Sequence, residues 1–269
     1  MDLQLVGKRA LVTGSTTGLG EAIATLLAAE GAAVVVHGRD RARAEAVAKS
    51  IRGEGGEAAI AIGDLGTDAG ADDVVAAATA GGPVDILVNN VGRYDPATGW
   101  NEATPEDWAD IYNVNVLTSV RMVRRLLPGM RARGWGRVIQ ISSVTGHLPT
   151  AAQPHYNASN AARDNLAASL ARELRHSGIT SNAVAAGGIL TPEARNQLIT
   201  MGRVQGWGDT WAEIEPKVDE LGPTDVGRIG RPREYADLVA FLASPVAGYI
   251  TGATLRIDGG FYDRVPATA

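Results

Sequence analysis

The sequence contains no cysteine, which excludes disulfides, a thiolate nucleophile and cysteine-ligated zinc or iron–sulfur sites. It has no apolar run near the roughly 18 residues that a membrane-spanning helix needs, and its start lacks the profile of a secretion signal. Lysine and arginine number 25 against 30 acidic residues, so the basic footprint of a nucleic-acid-binding domain is missing. Its four histidines show no metal-ligand spacing. These absences predict a cytoplasmic protein without a metal site that binds neither nucleic acid nor membrane.

What the sequence does have is a regular alternation of short apolar strands and amphipathic helices along its 269 residues. A strand at Arg9–Thr13 precedes a helix with Leu19, Ile23, Leu26 and Leu27 on one face. Further strands are predicted at Ala33–His37, Glu57–Ile62, Val84–Val88, Arg137–Ile141, Ser181–Ala185 and Thr254–Ile257, and further helices at Ala42–Arg52, Ala71–Ala80, after Thr104, around Leu166–Leu174 and around Tyr235–Leu242. Strands that alternate with helices in this way pair in parallel and are covered on both faces. The pattern predicts one α/β domain over residues 1–269, a doubly wound parallel sheet with helices on both faces.

One stretch, residues 193–228, has little periodic pattern and interrupts the alternation. It carries Trp207 and Trp211, spaced as neighbours on one helix face. Irregular segments of this length are often binding loops. Two interpretations stay open, a substrate-binding loop or lid and a surface insertion, and the tryptophans favour an apolar lid slightly over core packing.

The first strand runs into a glycine-rich turn, T-G-S-T-T-G-L-G at positions 13–20, which a helix follows. Glycines at such a turn let the backbone approach a pyrophosphate, and the helix N-terminus favours negative charge there. The candidate cofactor-binding residues in this turn are Gly14, Ser15, Thr16, Thr17, Gly18, Leu19 and Gly20. The context of strand, turn and helix predicts nucleotide binding rather than a plain turn.

The end of the second strand indicates which dinucleotide is bound. NAD sites usually place a carboxylate there to hold the ribose 2′-hydroxyl, but this strand ends in Gly38 and Arg39. An arginine pairs with a 2′-phosphate through two parallel hydrogen bonds. We therefore predict NADP(H) in preference to NAD(H), although Thr17 places no second basic residue in the turn. Arg39 as a solvated residue at the helix entrance is the alternative.

Further motifs occur at spacings consistent with this turn. They are Asp64-Leu65 after the third strand, Asn89-Asn90-Val91-Gly92 after the fourth, Asn113-Val114-Asn115 within a helix, Ile141-Ser142-Ser143 after the fifth, Tyr156 thirteen residues beyond Ser143, and Ile257-Asp258-Gly259-Gly260 near the end. With the glycine turn, they resemble the short-chain dehydrogenase/reductase family over about residues 5–262. The resemblance implies a single-domain Rossmann-type fold and a homotetramer.

The resemblance also assigns cofactor contacts. It implies that Asp64 and Leu65 flank the adenine, that Asn89 lies by the adenosine ribose, and that Gly92 belongs to the same cleft. The loop G-G-I-L-T at positions 187–191 resembles the segment that contacts the nicotinamide carboxamide and the pyrophosphate. It contributes Gly187, Ile189 and Thr191. The family's usual Pro-Gly in this loop is Ala186-Gly187 here.

The chemistry implied by the resemblance is hydride transfer between a nicotinamide and a small-molecule carbonyl substrate. Tyr156 is then the acid or base, Ser143 orients the carbonyl oxygen, and Asn115 holds a water that relays protons. The family has a lysine four residues after the tyrosine, whose charge lowers the tyrosine pKa. This sequence has Asn160 there, an amide that can bind ribose hydroxyls but carries no charge.

Three explanations of Asn160 stay open. The protein is a ketone or 3-oxo reductase, since proton donation needs the cation less than proton removal does. Alternatively it binds the cofactor but performs redox-neutral chemistry, as a lyase, epimerase or dehydratase, or none at all. A third explanation is a substitution introduced by mutagenesis to trap a complex. Arg163, seven residues after Tyr156, is predicted to lie at the surface or in an interface rather than to supply the missing charge.

Overall fold

The structure is a computed structural model that describes residues 1–94, 98–218 and 224–261. Strands and helices alternate in it, as the sequence pattern predicts. The strands are β1 (Arg9–Val12), β2 (Ala33–Gly38), β3 (Glu57–Ile62), β4 (Ile86–Asn89), β5 (Gly136–Ser143), β6 (Ile179–Ala186) and β7 (Thr254–Ile257). The helices are α1 (Gly18–Ala29), α2 (Arg41–Gly53), α3 (Asp68–Thr79), α4 (Pro105–Tyr112), α5 (Thr118–Arg133), α6 (Pro154–Glu173), α7 (Pro192–Val204), α8 (Trp211–Val218) and α9 (Pro232–Ala243).

The strands form one parallel sheet in the order β3-β2-β1-β4-β5-β6-β7 within the described residues. Successive strand residues point to opposite faces, so Val12 packs with α1, α2 and α9 while its neighbour Leu11 packs with α3 and α5. The predicted fold class, a doubly wound parallel sheet with helices on both faces, is confirmed. Every helix in the described ranges is too short or too polar to cross a bilayer.

Most predicted elements agree with the structure to within a few residues. The helix predicted at Ala71–Ala80 begins earlier, at Asp68, because the Thr67 hydroxyl caps it by accepting a hydrogen bond from the Gly70 N–H at 3.1 Å. The helix predicted after Thr104 begins at Pro105, and Thr104 and Asp107 form a reciprocal capping box. The motif Asn113-Val114-Asn115, predicted to lie within a helix, belongs to a π-helical turn at Asn113–Leu117 between α4 and α5.

The segment at 193–228 is more regular than its sequence pattern indicates. Most of residues 193–218 lie in α7 and α8, and residues 219–223 lie outside the described ranges. Helix α7 begins after Thr191, whose hydroxyl accepts from the Ala194 N–H at 3.1 Å. Close contact of α7 with α8 needs a small residue at Gly202, where a Cβ would lie 2.7 Å from the Ile214 side chain. The expectation of an irregular loop was wrong because this packing stabilises two helices.

The glycine turn after β1 is held by close backbone packing. Gly14 and Gly18 have left-handed backbone conformations, with φ of 65° and 61°, which glycine adopts without the steric cost of a side chain. A Cβ at Gly20 would lie 2.3 Å from the Gly14 carbonyl oxygen and 2.5 Å from Asn90 Nδ2. Helix α1 therefore approaches the turn as closely as it does only because position 20 has no side chain.

His37, the penultimate residue of β2, connects this turn to the neighbouring strands. Its Nδ1 accepts a hydrogen bond from the Gly14 N–H at 2.9 Å, and its Nε2 lies 3.2 Å from the Gly63 carbonyl oxygen. An Nδ1 that accepts and an Nε2 that donates define the neutral imidazole. Burial lowers the pKa of His37 to about 4. The ring is therefore neutral at physiological pH and supports the turn as a hydrogen-bond acceptor.

Gly20→Ala tests the packing of α1 against the turn. We expect the free energy of unfolding to fall by about 1–3 kcal/mol, because an added methyl group forces the backbone apart. Gly53→Ala is the matched control, since Gly53 lies in α2 and a Cβ there meets no atom within 4 Å. The control should gain about 0.4–1 kcal/mol. Denaturant unfolding measures both, and a Gly20→Ala protein as stable as the parent would contradict this packing.

His37→Asn tests the pH dependence that the neutral ring implies. The pKa of His37 falls from 6.5 to about 4 on folding. As the pH is lowered, the unfolded chain therefore binds this proton at a higher pH than the folded chain does. The contribution of the neutral ring to the free energy of unfolding is complete above pH 6.5 and is lost as the pH falls toward 4. The total loss is about 3 kcal/mol. Asparagine keeps an acceptor near Nδ1 and does not titrate. The stability difference between parent and variant, measured by urea unfolding, should shrink between pH 7 and 4; a constant difference would refute the assignment.

Candidate active site

A cleft of about 490 Å³ lies at the carboxyl ends of β1, β2 and β4. The order of strands reverses between β1 and β4, and ligands of open α/β sheets bind at such a switch point. The predicted cofactor-binding residues that line the cleft are Gly14, Thr16, Thr17, Arg39, Asp64, Leu65 and Gly92. The sequence motifs after β1, β2, β3 and β4 therefore meet in one cavity.

Thr13 and Asn90 hold the two sides of this switch point together. The Thr13 hydroxyl accepts hydrogen bonds from the Asn90 and Val91 N–H groups, at 2.9 and 3.1 Å, and donates to the Val88 carbonyl at 3.2 Å. The Asn90 amide donates to the carbonyls of Thr13 and Gly14, at 2.9 and 3.1 Å. The glycine turn and the loop after β4 are thus positioned by the same set of bonds.

The other predicted residues near the turn lie behind the cleft. Ser15 is buried, and its hydroxyl donates to the Val12 carbonyl at 2.7 Å and accepts from the His37 N–H at 2.9 Å. Leu19 belongs to the apolar core, and Gly20 packs against the turn. Asn89 is buried at the end of β4 and does not line the cavity.

The predicted loop 187–191 follows β6, and one of its residues reaches the turn. Thr191 Cγ2 would lie 3.3 Å from a Cβ at Gly18. Gly187 packs on Asp258, where a Cβ would lie 2.7 Å from the Asp258 Cα, and Ile189 pairs with Gly230 in an isolated β-bridge. Gly187, Ile189 and Thr191 are absent from the residues that line the cavity.

The β2 end of the cleft carries two arginines. Arg39 lines it as predicted, and Arg43, from the first turn of α2, lines it as well. The second basic residue, absent from the glycine turn, is Arg43, four residues beyond Arg39, which the sequence pattern did not indicate. Asp40 caps α2 by accepting from the Ala42 and Arg43 N–H groups, at 2.9 and 3.2 Å. The Asp40 carboxylate also lies 3.6 Å from Arg43 Nε, so Arg39 is the arginine at this end better placed to take an anionic group.

The N-terminus of α1 also fits an anion. Thr17 precedes the helix but makes no side-chain hydrogen bond to its first turn. The first N–H groups of a helix need acceptors from outside the helix and carry a partial positive charge. Together with the glycine turn and the two arginines, this arrangement fits a phosphorylated dinucleotide.

Ser143 and Tyr156 lie together beside the cleft. Ser143 ends β5, and its Oγ accepts from the Thr145 N–H at 3.2 Å and from the Thr145 hydroxyl at 3.1 Å. Tyr156 lies in the first turn of α6. Burial raises the pKa of the Tyr156 phenol, while its hydrogen bond with Ser143 and the charge of Arg163 act in the opposite direction. The phenol is therefore protonated at neutral pH, and the Ser143 hydroxyl is near enough to lower its pKa.

Two asparagines predicted for the site engage protein groups. The Asn115 amide accepts from the Arg93 N–H at 2.7 Å and donates to the Arg93 carbonyl at 3.1 Å and to Ser159 Oγ at 3.0 Å. It thereby joins the loop after β4 to α6. Asn160 is buried, and its amide donates to the Tyr156 main-chain carbonyl at 2.9 Å. The π-helical turn at Asn113–Leu117 carries Asn115, and such turns are frequent at functional sites.

The prediction that Arg163 lies at the surface or in an interface was wrong. Its side chain is 4% exposed, and its guanidinium donates to the main-chain carbonyls of Ile141 and Val91. The apolar periodicity of Leu166, Leu170 and Leu174 does not indicate that Arg163 is buried. The burial arises because Arg163 faces the ends of β4 and β5, on the same side of α6 as Tyr156.

A polar cluster that sequence analysis missed lies next to Arg163. The Asp164 carboxylate accepts from the Ser142 hydroxyl at 2.5 Å and lies 3.1 Å from His147 Nε2. Burial raises the pKa of Asp164, while the Ser142 hydrogen bond, His147 and Arg163 oppose the rise. The cluster fixes the segment after β5 to α6, and so fixes Ser143 relative to Tyr156.

Aromatic side chains lie next to Tyr156. Tyr94 stands edge-on to the Tyr156 ring, with ring centroids 5.3 Å apart, and the Trp108 ring lies near Trp100 and His155. Trp211 begins α8, and the Arg195 Cζ atom lies over its ring, 5.5 Å from the ring centroid. The lid role predicted for residues 193–228 stays a prediction.

Comparison with known proteins places these features in a family. The sequence profile of the short chain dehydrogenase family matches residues 8–201. An uncharacterized oxidoreductase of Bacillus subtilis is 38% identical over 98% of this chain and 100% of its own length. The 3-oxoacyl-[acyl-carrier-protein] reductase of Vibrio cholerae is 36% identical, over 97% of this chain and 99% of its own.

A solved structure agrees in fold as well as in sequence. L-Sorbose reductase from Gluconobacter frateurii, complexed with NADPH and L-sorbose, superposes with a TM-score of 0.90 at 34% identity. The match covers 97% of this chain and 98% of that one. With the profile match over most of the sequence, these similarities show that this chain belongs to the short-chain dehydrogenase family of oxidoreductases.

Proposed function

We propose that the protein reduces a ketone or 3-oxo group to an alcohol with NADPH. The observation that carries this proposal is a protonated Tyr156 phenol, acted on by the Ser143 hydroxyl, beside a cleft lined by the glycine turn and two arginines. When bound, NADPH supplies a hydride to the carbonyl carbon. The residues that would hold it are the glycine turn, Arg39, Asp64, Leu65, Gly92 and the loop of Gly187, Ile189 and Thr191.

The choice of NADPH rests on charge. Arg39 and Arg43 both line the β2 end of the cleft, and Gly38 ends the strand without a carboxylate. Guanidinium groups bind phosphate in a planar two-bond geometry. The sorbose reductase relative was solved with NADPH, which supports the same preference here.

The direction of the reaction follows from the state of Tyr156. Burial raises its pKa, so the phenol holds a proton at neutral pH and can donate it. The Ser143 hydroxyl and the phenol together bind the carbonyl oxygen, orient it and stabilise the charge that develops on it. As the carbonyl carbon accepts the hydride, its oxygen takes the Tyr156 proton, which leaves a phenolate until solvent returns a proton.

The substrate class is a small-molecule carbonyl compound, and two relatives suggest where to begin. One is named for 3-oxoacyl groups on acyl carrier protein and the other for L-sorbose. Redox-neutral chemistry, as in a lyase, epimerase or dehydratase, is the second candidate, favoured by the neutral Asn160. The homotetramer stays a prediction from the family resemblance.

Tyr156→Phe tests the proposed function. With NADPH and a panel of ketoses and 3-oxoacyl thioesters, the variant should lose about 10²–10⁴-fold in kcat/KM, because it lacks the proton donor. Its NADPH dissociation constant should stay the same. Tyr249→Phe is the control, since Tyr249 is fully exposed.

Two outcomes would refute the reductase. The first is a parent protein that binds NADPH but oxidises it with no member of the panel. The second is product formation without any change in the cofactor's absorbance, which supports the redox-neutral candidate instead.

Arg39→Gln tests the cofactor preference. Loss of one charge-assisted contact to the 2′-phosphate, worth about 1.5–3 kcal/mol, should weaken NADPH binding by roughly tenfold to a hundredfold. NADH binding should not change. Lys49→Gln is the control, because it removes one positive charge from the exposed side of α2. Titration by cofactor fluorescence measures the constants, and equal losses for both cofactors would contradict the assignment.

A further inference from the structure

We propose that Arg163 provides the cation that faces Tyr156 in this chain, in place of a charged residue at position 160. The inference rests on the proposed function, since it concerns the proton donor of that reaction. Arg163 acts through Tyr156 and is therefore a positioning residue rather than a catalytic one.

Position 160 itself provides no charge. Asn160 is 2% exposed, and its amide donates to the Tyr156 main-chain carbonyl within the same helix. This bond satisfies one amide N–H locally. The Asn160 side chain also lowers the pKa of the Tyr156 phenol as a hydrogen-bond partner, but it does so without a charge. When Tyr156 donates its proton, position 160 therefore offers no cation to the phenolate that forms.

Arg163 is on the correct face to supply one. Seven residues make almost two turns of an α-helix, so residues i and i+7 lie on the same face. The Arg163 guanidinium is anchored to the carbonyls of Ile141, near the end of β5, and Val91, after β4. Its Nη1 would lie 3.4 Å from a Cβ at Gly92, which lines the cleft. The cation is thus fixed directly behind the wall of the cleft.

The charge of Arg163 is not neutralised by an ion pair. No carboxylate forms a salt bridge with it within residues 1–94, 98–218 and 224–261, and its buried Nε has no hydrogen-bond partner among them. The adjacent Asp164 is held by Ser142 and His147 instead. Burying an unpaired cation costs several kcal/mol. A neutral side chain could bond the same two carbonyls without that cost, so the charge itself requires an explanation.

Tyr156 and Arg163 interact electrostatically in both directions. Burial raises the pKa of Tyr156 and lowers the pKa of Arg163 to about 10. The charge of Arg163 lowers the pKa of Tyr156, and the charge of Tyr156 raises the pKa of Arg163. The further charged or titratable groups that act on this pair are Asp164 and Tyr94. As Tyr156 gives up its proton, the phenolate that forms is stabilised by the fixed guanidinium.

Arg163→Gln removes the charge but keeps an amide that can donate to the same carbonyls. The measured quantity is the pKa of Tyr156, taken from phenolate absorbance after a rapid pH jump. The absorbance of the other tyrosines is removed by subtracting the signal of the same protein with Tyr156→Phe added. We expect the pKa to rise by about one pH unit or more, because a cation a few ångströms away shifts a pKa by roughly 1–3 units. The alkaline limb of the pH profile of kcat/KM should move to higher pH together with the pKa of Tyr156. Arg163→Lys, which keeps the charge, should titrate like the parent.

Arg137→Gln is the matched control. Arg137 is also buried, bonds main-chain carbonyls, and has a pKa lowered to about 10. It lies at the opposite end of β5, about 20 Å from Ser143 at 3.3 Å per residue. Removing this cation should destabilise the fold without changing the pKa of Tyr156.

The outcomes separate this inference from the proposed function. An unchanged Tyr156 pKa in a folded Arg163→Gln protein overturns the role of Arg163, even if ketone reduction is observed. A parent without ketone turnover refutes the proposed function but leaves the titration valid. If Arg163→Gln does not fold, Arg163→Met takes its place, since it keeps a long side chain in the buried site without the charge. It should have a higher Tyr156 pKa than Arg163→Lys, and equal values would overturn the proposal.

Discussion

The hydrogen bonds between Thr13 and Asn90 are the constraint on which the rest of the site depends. They join the carboxyl ends of β1 and β4, where the order of strands in the sheet reverses. The glycine turn follows one of these residues and the Val91-Gly92 loop follows the other. The groups that these two loops place on the cleft therefore take their positions from a few partly buried hydrogen bonds, which are stronger than they would be in bulk water.

The electrostatics of the site follow from the same framework. Arg163 reaches from α6 to the Val91 carbonyl on one side and the Ile141 carbonyl on the other. Its charge is held at a fixed distance from Tyr156 by strands rather than by a flexible surface chain. A fixed charge in a buried site needs no reorganisation when charge develops nearby. Burial raises the pKa of the Tyr156 phenol, and both Ser143 and the guanidinium lower it.

Sequence analysis correctly predicted the fold class and brought together residues that share one cleft. Gly14, Arg39, Asp64 and Gly92 could be placed because the carboxyl ends of parallel strands meet at one edge. Arg43 was missed because a helix surface position has no distinguishing pattern. The environment of Arg163 was predicted wrongly, because a cation within an amphipathic pattern is normally solvated. Here two main-chain carbonyls, 22 and 72 residues away in sequence, accept its hydrogen bonds.

By itself, the sequence determined the parallel sheet, the glycine turn and the neutral amide at position 160, because hydrophobic period, glycine spacing and residue identity are local properties. Only the tertiary structure decided which polar groups are buried and what they face. The partners of Arg163, the Asp164 cluster and the contact of Thr191 with the glycine turn join segments that are distant in the chain. Their energies depend on distance and on exclusion of water, and neither quantity can be read from the order of residues.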